Sequence, residues 1–268
     1  MRILLTGHLG YIGTVAVPLF ESHGHEVVGL DTDLYRGSTF GPAVGRAQDI
    51  KNLALDIRDV TPDHLAGFDV VAHLAGLSND PLGNLNPPVT DDINADAAIH
   101  LAKMAKRAGV PKFIFSSTCS NYGAAGDEFI DESAAFNPVT PYGRSKVKAE
   151  QLLIPMADEK FSPVLMRSST AFGLSPRIRF DLVINNLTAW AFATGDILLK
   201  SDGTPWRPVV HIEDIARAFL AVAEAPREKV HLEAFNVGAT QENYRVRELA
   251  EIVREVIPNT KIRIADGA

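Results

Sequence analysis

Residues 2–31 constrain the fold more than any other stretch. Arg2–Thr6 (RILLT) is a short apolar run, followed by Gly7-His8-Leu9-Gly10-Tyr11-Ile12-Gly13, an amphipathic stretch to Ser22, and a second apolar run over 26–31 (EVVGLD). This order reads as strand, glycine turn, helix, strand. Gly7 lets the chain turn sharply out of the strand, Gly10 lets backbone approach a diphosphate, and Gly13 lets helix pack closely on strand. The helix start, with Tyr11 and Ile12, offers free N–H groups and the positive end of its dipole to phosphates. Asp31 closes the unit, where a carboxylate accepts hydrogen bonds from an adenosine ribose diol and repels a 2′-phosphate. A bound dinucleotide is expected, NAD rather than NADP.

The chain has 268 residues, 46% apolar and 22% charged, enough for one large α/β unit or a domain with a cap. Its net charge of −7 gives no basic footprint for nucleic acid, so an anionic ligand must be held by a few local cations. A single cysteine excludes an internal disulfide framework and suits a reducing compartment. The N-terminus lacks a signal-peptide layout, and no apolar run approaches the roughly 20 residues of a membrane span. A cytoplasmic protein without membrane partners is expected.

Beyond Asp31 the pattern alternates. A polar loop over 32–45 precedes strands expected at 52–56 and 68–74, the first ending at Asp56-Ile57 and the second running into Leu74-Ala75-Gly76. Residues 88–108 have helical spacing, with Ile93, Ala97, Leu101 and Met104 on one face. Lys112 to Ser117 reads as a strand, 141–157 as a helix and 162–167 as a strand. Strands alternating with helices predict a doubly wound parallel sheet covered on both faces. The second part is less regular: a helix at 180–194, a short strand at 196–200, a helix at 213–224, a strand at 234–237, a helix at 246–256 and a last strand at 260–264. We divide the chain at residue 170, with 1–170 binding the dinucleotide and 171–268 mainly a smaller α/β lobe over the sheet ends, some of whose segments return to the sheet.

Tyr142-Gly143-Arg144-Ser145-Lys146 opens the helix after Pro141. Four residues apart, Tyr142 and Lys146 face the same way. A phenol loses its proton near pH 10, and an ammonium beside it moves that value toward neutrality, as a general base requires. Ser116-Ser117-Thr118 ends the fifth strand at the sheet edge where the dinucleotide lies, so a hydroxyl there can hydrogen-bond the oxygen that Tyr142 deprotonates.

Taken together, TGHLGYIG, Asp31, Asp56-Ile57, HLAG at 73–76, SSTCSNYG at 116–123, YGRSK and RPVVHIED at 207–214 resemble the extended branch of the short-chain dehydrogenase/reductases, the nucleoside-diphosphate-sugar epimerase/dehydratase family. The resemblance implies a Rossmann fold, bound NAD, a sugar-nucleotide lobe and a homodimer formed through two helices per subunit. By it, Asp56 and Ile57 flank the adenine, Leu74 to Gly76 line the cofactor with Ser116 and Ser169, and Asn94 lies near it. Thr118, Tyr142 and Lys146 are the catalytic set, and Lys146 also holds the nicotinamide ribose.

The residues after Thr118 discriminate within the family. Its 4,6-dehydratases carry an Asp-Glu pair there for the elimination of water; this chain has Cys119 and Ser120, so UDP-galactose-4-epimerase-like enzymes fit better. An NAD-dependent epimerase of a nucleoside-diphosphate sugar, acting at C4, is therefore expected. The alternatives are a reductase of a nucleotide-linked keto-sugar and a non-catalytic dinucleotide sensor or scaffold. Substrate contacts are expected from Thr118, Ser120, Thr170, Asn185, Asn186, Arg207 and one of Arg177 and Arg179, with Arg179 in the substrate set. His8 and His73 read as structural, Cys119 as a packed thiol, and no metal site is expected. The family usually continues beyond a strand like 261–264, so a shortened cap is a further expectation.

Overall fold

The computed structural model describes residues 1–39, 45–123 and 128–265. Part of the polar loop expected over 32–45, and the chain end at 266–268 on which the expectation of a shortened cap rested, lie outside the described residues.

The strands are β1 (Arg2–Thr6), β2 (Glu26–Leu30), β3 (Asn52–Leu53), β4 (Val70–His73), β5 (Lys112–Thr118) and β6 (Ser162–Ser168), then β7 (Thr170–Phe172), β8 (Asp196–Leu199), β9 (Trp206–His211), β10 (Ala234–Val237), β11 (Asn243–Arg245) and β12 (Lys261–Ile264). The helices are α1 (Gly13–Ser22), α2 (Asp80–Leu85), α3 (Pro87–Asp91), α4 (Ala97–Arg107), α5 (Pro141–Leu153), α6 (Val183–Thr194), α7 (Ile212–Glu224), α8 (Arg227–Val230) and α9 (Val246–Val256).

Seven strands form one parallel sheet in the order β10-β6-β5-β4-β1-β2-β3. The central strands β1, β2, β4, β5 and β6 are largely apolar because the sheet is covered on both sides. Successive side chains go to opposite faces: Leu4, Val28, Val71 and Phe113 pack with α4 and α5, whereas Ile3, Leu5, Val27 and Val70 pack with α1 and α7. The expected doubly wound α/β architecture is therefore present. Its strand order reverses between β1 and β4, which opens a crevice at the carboxyl ends of these strands, where such sheets bind ligands. A second core, built from Leu187, Ile197, Leu199, Leu249 and Val253, joins α6, α9 and the parallel β8–β12 pair. The sheet β11-β9-β7 connects this region to the crevice, while β10 and α7 return to the large sheet.

Local chemistry moved several boundaries. The helix expected over 88–108 is interrupted by a π turn at Asp92–Asp96, which directs Asn94 inward. The strand expected over 52–56 stops at Leu53, and Asp56 instead caps a 3₁₀ turn by accepting from the Arg58 N–H at 2.9 Å. Helix α6 begins at Val183 rather than 180. Strands β7, β9 and β11 went unrecognised because three-residue and polar strands carry little periodic signal; β11 is held by pairing Tyr244 with Arg207.

Phe219, 1% exposed on α7, fills the α1–α7 side of the core. Phe219→Ala should destabilise the protein by about 3–5 kcal/mol, measured by denaturant unfolding.

Candidate active site

A cleft of about 2410 Å³ lies along the carboxyl ends of the sheet and is lined by Gly7, Asp31, Asp56, Gly76, Tyr142 and Arg207, among others. Its floor is the glycine turn. A side chain on Gly7 would lie 2.8 Å from the Ala75 nitrogen, and one on Gly13 2.3 Å from the Gly7 carbonyl oxygen, so both glycines are needed for close packing of β1, α1 and the end of β4. At Gly10 the nearest atom to an added side chain is the Gly7 oxygen at 3.1 Å; its missing side chain leaves room on the cleft side. With free N–H groups at the start of α1 and Asp31 at the end of β2, these residues fit a dinucleotide. Asp31 accepts from the Leu9 and Asp33 N–H groups at 3.1 and 2.8 Å, which fixes its carboxylate at the turn.

The expected catalytic set sits across the cleft. Thr140 caps α5 by accepting from the Gly143 N–H at 3.1 Å, and Pro141 occupies the first turn, where a missing N–H costs nothing. This fixes Tyr142 at the helix start. The Thr118 hydroxyl accepts from the Ser120 N–H at 3.1 Å, so its own proton is free to turn to the Tyr142 oxygen, whose ionisation it favours. Lys146 donates to the Ser116 carbonyl at 2.8 Å, with its ammonium 4.7 Å from the Phe115 ring centre and 5.9 Å from that of Tyr142.

Electrostatics depart from expectation here. Lys146 does not bring Tyr142 toward neutrality in the ligand-free protein: burial pushes the phenol up to about 12, opposed by the hydrogen bond from Thr118 and the charge of Arg179. Burial likewise pulls Lys146 down to about 8, opposed by the charge of Glu150. His73, buried between Thr6 and the Phe113 and Phe115 rings, is pushed down to about 3 and is neutral. His8 is also lowered by burial and packs against Gly29, so both histidines are structural.

The stretch from Gly173 to Asp181 forms a strap joined to three cofactor-side loops. At the glycine turn, Tyr11 donates to the Gly173 carbonyl at 2.8 Å, and Ser175 donates to the Tyr11 carbonyl at 2.9 Å and meets Thr14 at 2.9 Å. Beyond β2, buried Arg177 donates to Asp33 at 2.7 Å and to the Tyr35 carbonyl. After β4, Arg179 donates to the Ser78 hydroxyl at 2.6 Å, and Asp181 accepts from Asn79 at 2.6 Å.

The cleft brings together Gly7, Gly10, Tyr11, Ile12, Gly13, Asp31, Asp56, Ile57, Leu74, Ala75, Gly76, Ser116, Thr118, Ser120, Tyr142, Lys146, Ser169, Thr170, Arg179 and Arg207. Three expected contacts fall outside its lining. Asn94 engages the Leu77 backbone, accepting at 2.7 Å and donating at 2.8 Å, and so holds the loop that follows Gly76. Asn185 is occupied by the Gly173 N–H, the Tyr11 hydroxyl and the Arg179 carbonyl. Asn186 donates to the Phe180 carbonyl at 2.7 Å, across the entry to α6. Arg179 lines the cleft but is committed through four hydrogen bonds to Asp181 and Ser78, which leaves little of its fork for a diphosphate. Arg207 stands exposed at the mouth and donates to the Trp206 carbonyl. The sequence reading passed over Glu150, although its place four residues beyond Lys146 signals the same helix face.

A family model described as the NAD dependent epimerase/dehydratase family matches residues 3–238. The chain belongs to that family. Members similar to it include the UDP-glucose 4-epimerase of Corynebacterium glutamicum, 28% identical over 96% of this chain and 80% of that protein. The UDP-glucose 4-epimerase of Bacillus subtilis is 27% identical over 96% of this chain and 82% of its own. Among solved structures, TunA, a NAD-dependent NDP-hexosamine 5,6-dehydratase involved in tunicamycin biosynthesis, superimposes with a TM-score of 0.86 at 25% identity, covering 98% of this chain and 83% of its own. NAD is the family's cofactor, in agreement with the cleft.

Two outcomes are expected from this geometry. In ultraviolet titration of the ligand-free protein, the Tyr142 phenol ionises near 12, and Thr118→Val, which removes the donated hydrogen bond, raises it further. Arg177→Met unfastens the strap from Asp33 and should speed NAD release about tenfold, the equivalent of one charge-assisted hydrogen bond, followed by displacement of a fluorescent NAD analogue.

Proposed function

We propose that the protein epimerises a nucleoside-diphosphate sugar at C4 through a transient keto sugar. The observation that carries this reading is a Tyr142–Thr118–Lys146 set with no carboxylate at the two positions after Thr118. Elimination of water would need an acid and a base there. Cys119, whose thiol burial pushes up to about 11, and Ser120 supply neither at neutral pH. The relatives named as UDP-glucose 4-epimerases support the C4 assignment.

NAD, held by the glycine turn, Asp31 and the loop after β4, would supply the hydride acceptor and donor for the sugar carbon. Tyr142 takes the proton of the reacting hydroxyl as that carbon is oxidised, and gives it back on reduction. A phenol held near 12 stays protonated at neutral pH, so it serves as a base only where its phenolate is stabilised: the Thr118 hydroxyl favours the phenolate, and the Arg179 and Lys146 cations lie nearby. Arg207 at the mouth is the cation assigned to the diphosphate of an otherwise acidic chain. Ser120 and Thr170 are assigned to the sugar. A homodimer through the α3–α4 and α5 faces belongs to the same proposal. No helix among the described residues is long and apolar enough to cross a membrane.

Incubation with a panel of UDP-, dTDP-, GDP- and CDP-sugars, with products resolved chromatographically and 340 nm absorbance followed, tests the reading. Isomerised sugar without net NADH change is expected, with Tyr142→Phe lowering kcat by about 10²–10⁴-fold. Stoichiometric NADH consumption would instead identify a reductase.

A further inference from the structure

Three successive residues ending β5 are gripped by three successive turns of α5. Thr118 meets Tyr142, the Ser116 carbonyl accepts from Lys146 at 2.8 Å, and the Ser117 hydroxyl donates to Glu150. Spaced four apart, Tyr142, Lys146 and Glu150 form one stripe along the helix face that meets the strand. Glu150 is fully buried. It receives Asn121 at 2.9 Å and Arg167 through both carboxylate oxygens at 3.1, 3.2 and 2.7 Å. Arg167 stands on β6 directly beside Ser117 in the sheet register, and its other donors go to the Tyr122 hydroxyl and the Glu132 carbonyl, both at 2.9 Å.

A buried carboxylate–guanidinium pair is no efficient route to stability, because desolvation offsets its attraction and an apolar pair of similar volume does as well or better. Its position is more informative. It lies one helical turn beneath Lys146, whose ammonium is buried and, among the described residues, is otherwise met by neutral groups, the Ser116 carbonyl and the faces of the Phe115 and Tyr142 rings, which attract a cation but supply no counter-charge. The acids on the outer flank of α5, Asp91 and Asp96, are bound to Lys148 at 2.6 and 2.8 Å. Glu150 is the carboxylate that acts on Lys146.

We propose that Glu150 is the positioning residue of the catalytic set, seating Tyr142 and Lys146 on the end of β5 through Ser117 and Arg167 and supplying the counter-charge of the Lys146 ammonium. This deepens the epimerase reading and rests on it for its meaning in turnover. Arg167 shares that carboxylate, so the pair tunes how much of its charge reaches Lys146.

Lys146 can be titrated directly in the cofactor-free protein, by competitive labelling with trace acetic anhydride across pH and mass spectrometry of its peptide. The ammonium is complete well below its midpoint near 8 and is lost as pH rises through it. Glu150→Gln removes the counter-charge and leaves Arg167 positive nearby, so the midpoint should fall by about one pH unit, and the alkaline limb of turnover with it. Because an unpaired buried arginine can unfold the chain, Glu150→Gln/Arg167→Met is the second variant. It removes both charges while retaining bulk, and the Lys146 midpoint should still fall. A folded double variant that labels Lys146 with the unaltered midpoint overturns the proposal. A lowered midpoint in the variants, beside a wild-type protein that turns over no sugar nucleotide, leaves Glu150 assigned as counter-charge and overturns the epimerase reading instead.

Discussion

Everything at the active site depends on how closely backbone can approach backbone at the first turn. Gly7 adopts a φ of +71° and, with Gly13, leaves no room for side chains between β1, α1 and the end of β4. That contact brings the start of α1, Asp31 and the loop after β4 to one edge of the sheet, where its strand order reverses. Seven parallel strands with apolar residues on both faces then make the edge rigid. Loops built on it can hold polar groups where the chemistry needs them.

Placing those groups brings a conflict between burial and charge. Tyr142 and Lys146 are both pushed toward their neutral forms by burial, although proton transfer needs a phenolate and an ammonium. The structure opposes this with directed partners rather than with water. Thr118 points its proton at the phenol, Arg179 is fixed by Asp181 and Ser78, and Glu150 stands under Lys146. The Ser78 acceptors that position Arg179 also fasten the strap, which couples the electrostatics of Tyr142 to coverage of the cleft.

Much of this was legible in the chain. The glycine spacing, the acid at the end of the second strand and the Tyr142–Lys146 interval each reflect a local constraint, because a turn, a strand end or one helical turn fixes where those side chains go. The asparagines show the limit. Asn94, Asn185 and Asn186 read as cofactor or substrate contacts, and the structure places all three outside the lining of the cleft, each engaged with a backbone group of a neighbouring loop. A π turn decided the first, and the path of the strap decided the other two.

The sequence by itself determined the alternation of strands and helices, the glycine turn and the shared helix face of Tyr142 and Lys146, since these follow from periodicity and spacing within a few residues. Only the tertiary structure decided which polar side chains remain available to a ligand. It also decided the sign of the Tyr142 and Lys146 shifts, and that Arg167 on β6 meets Glu150 on α5. Desolvation and hydrogen-bond saturation depend on what packs against a group from elsewhere in the chain, and no local pattern encodes that.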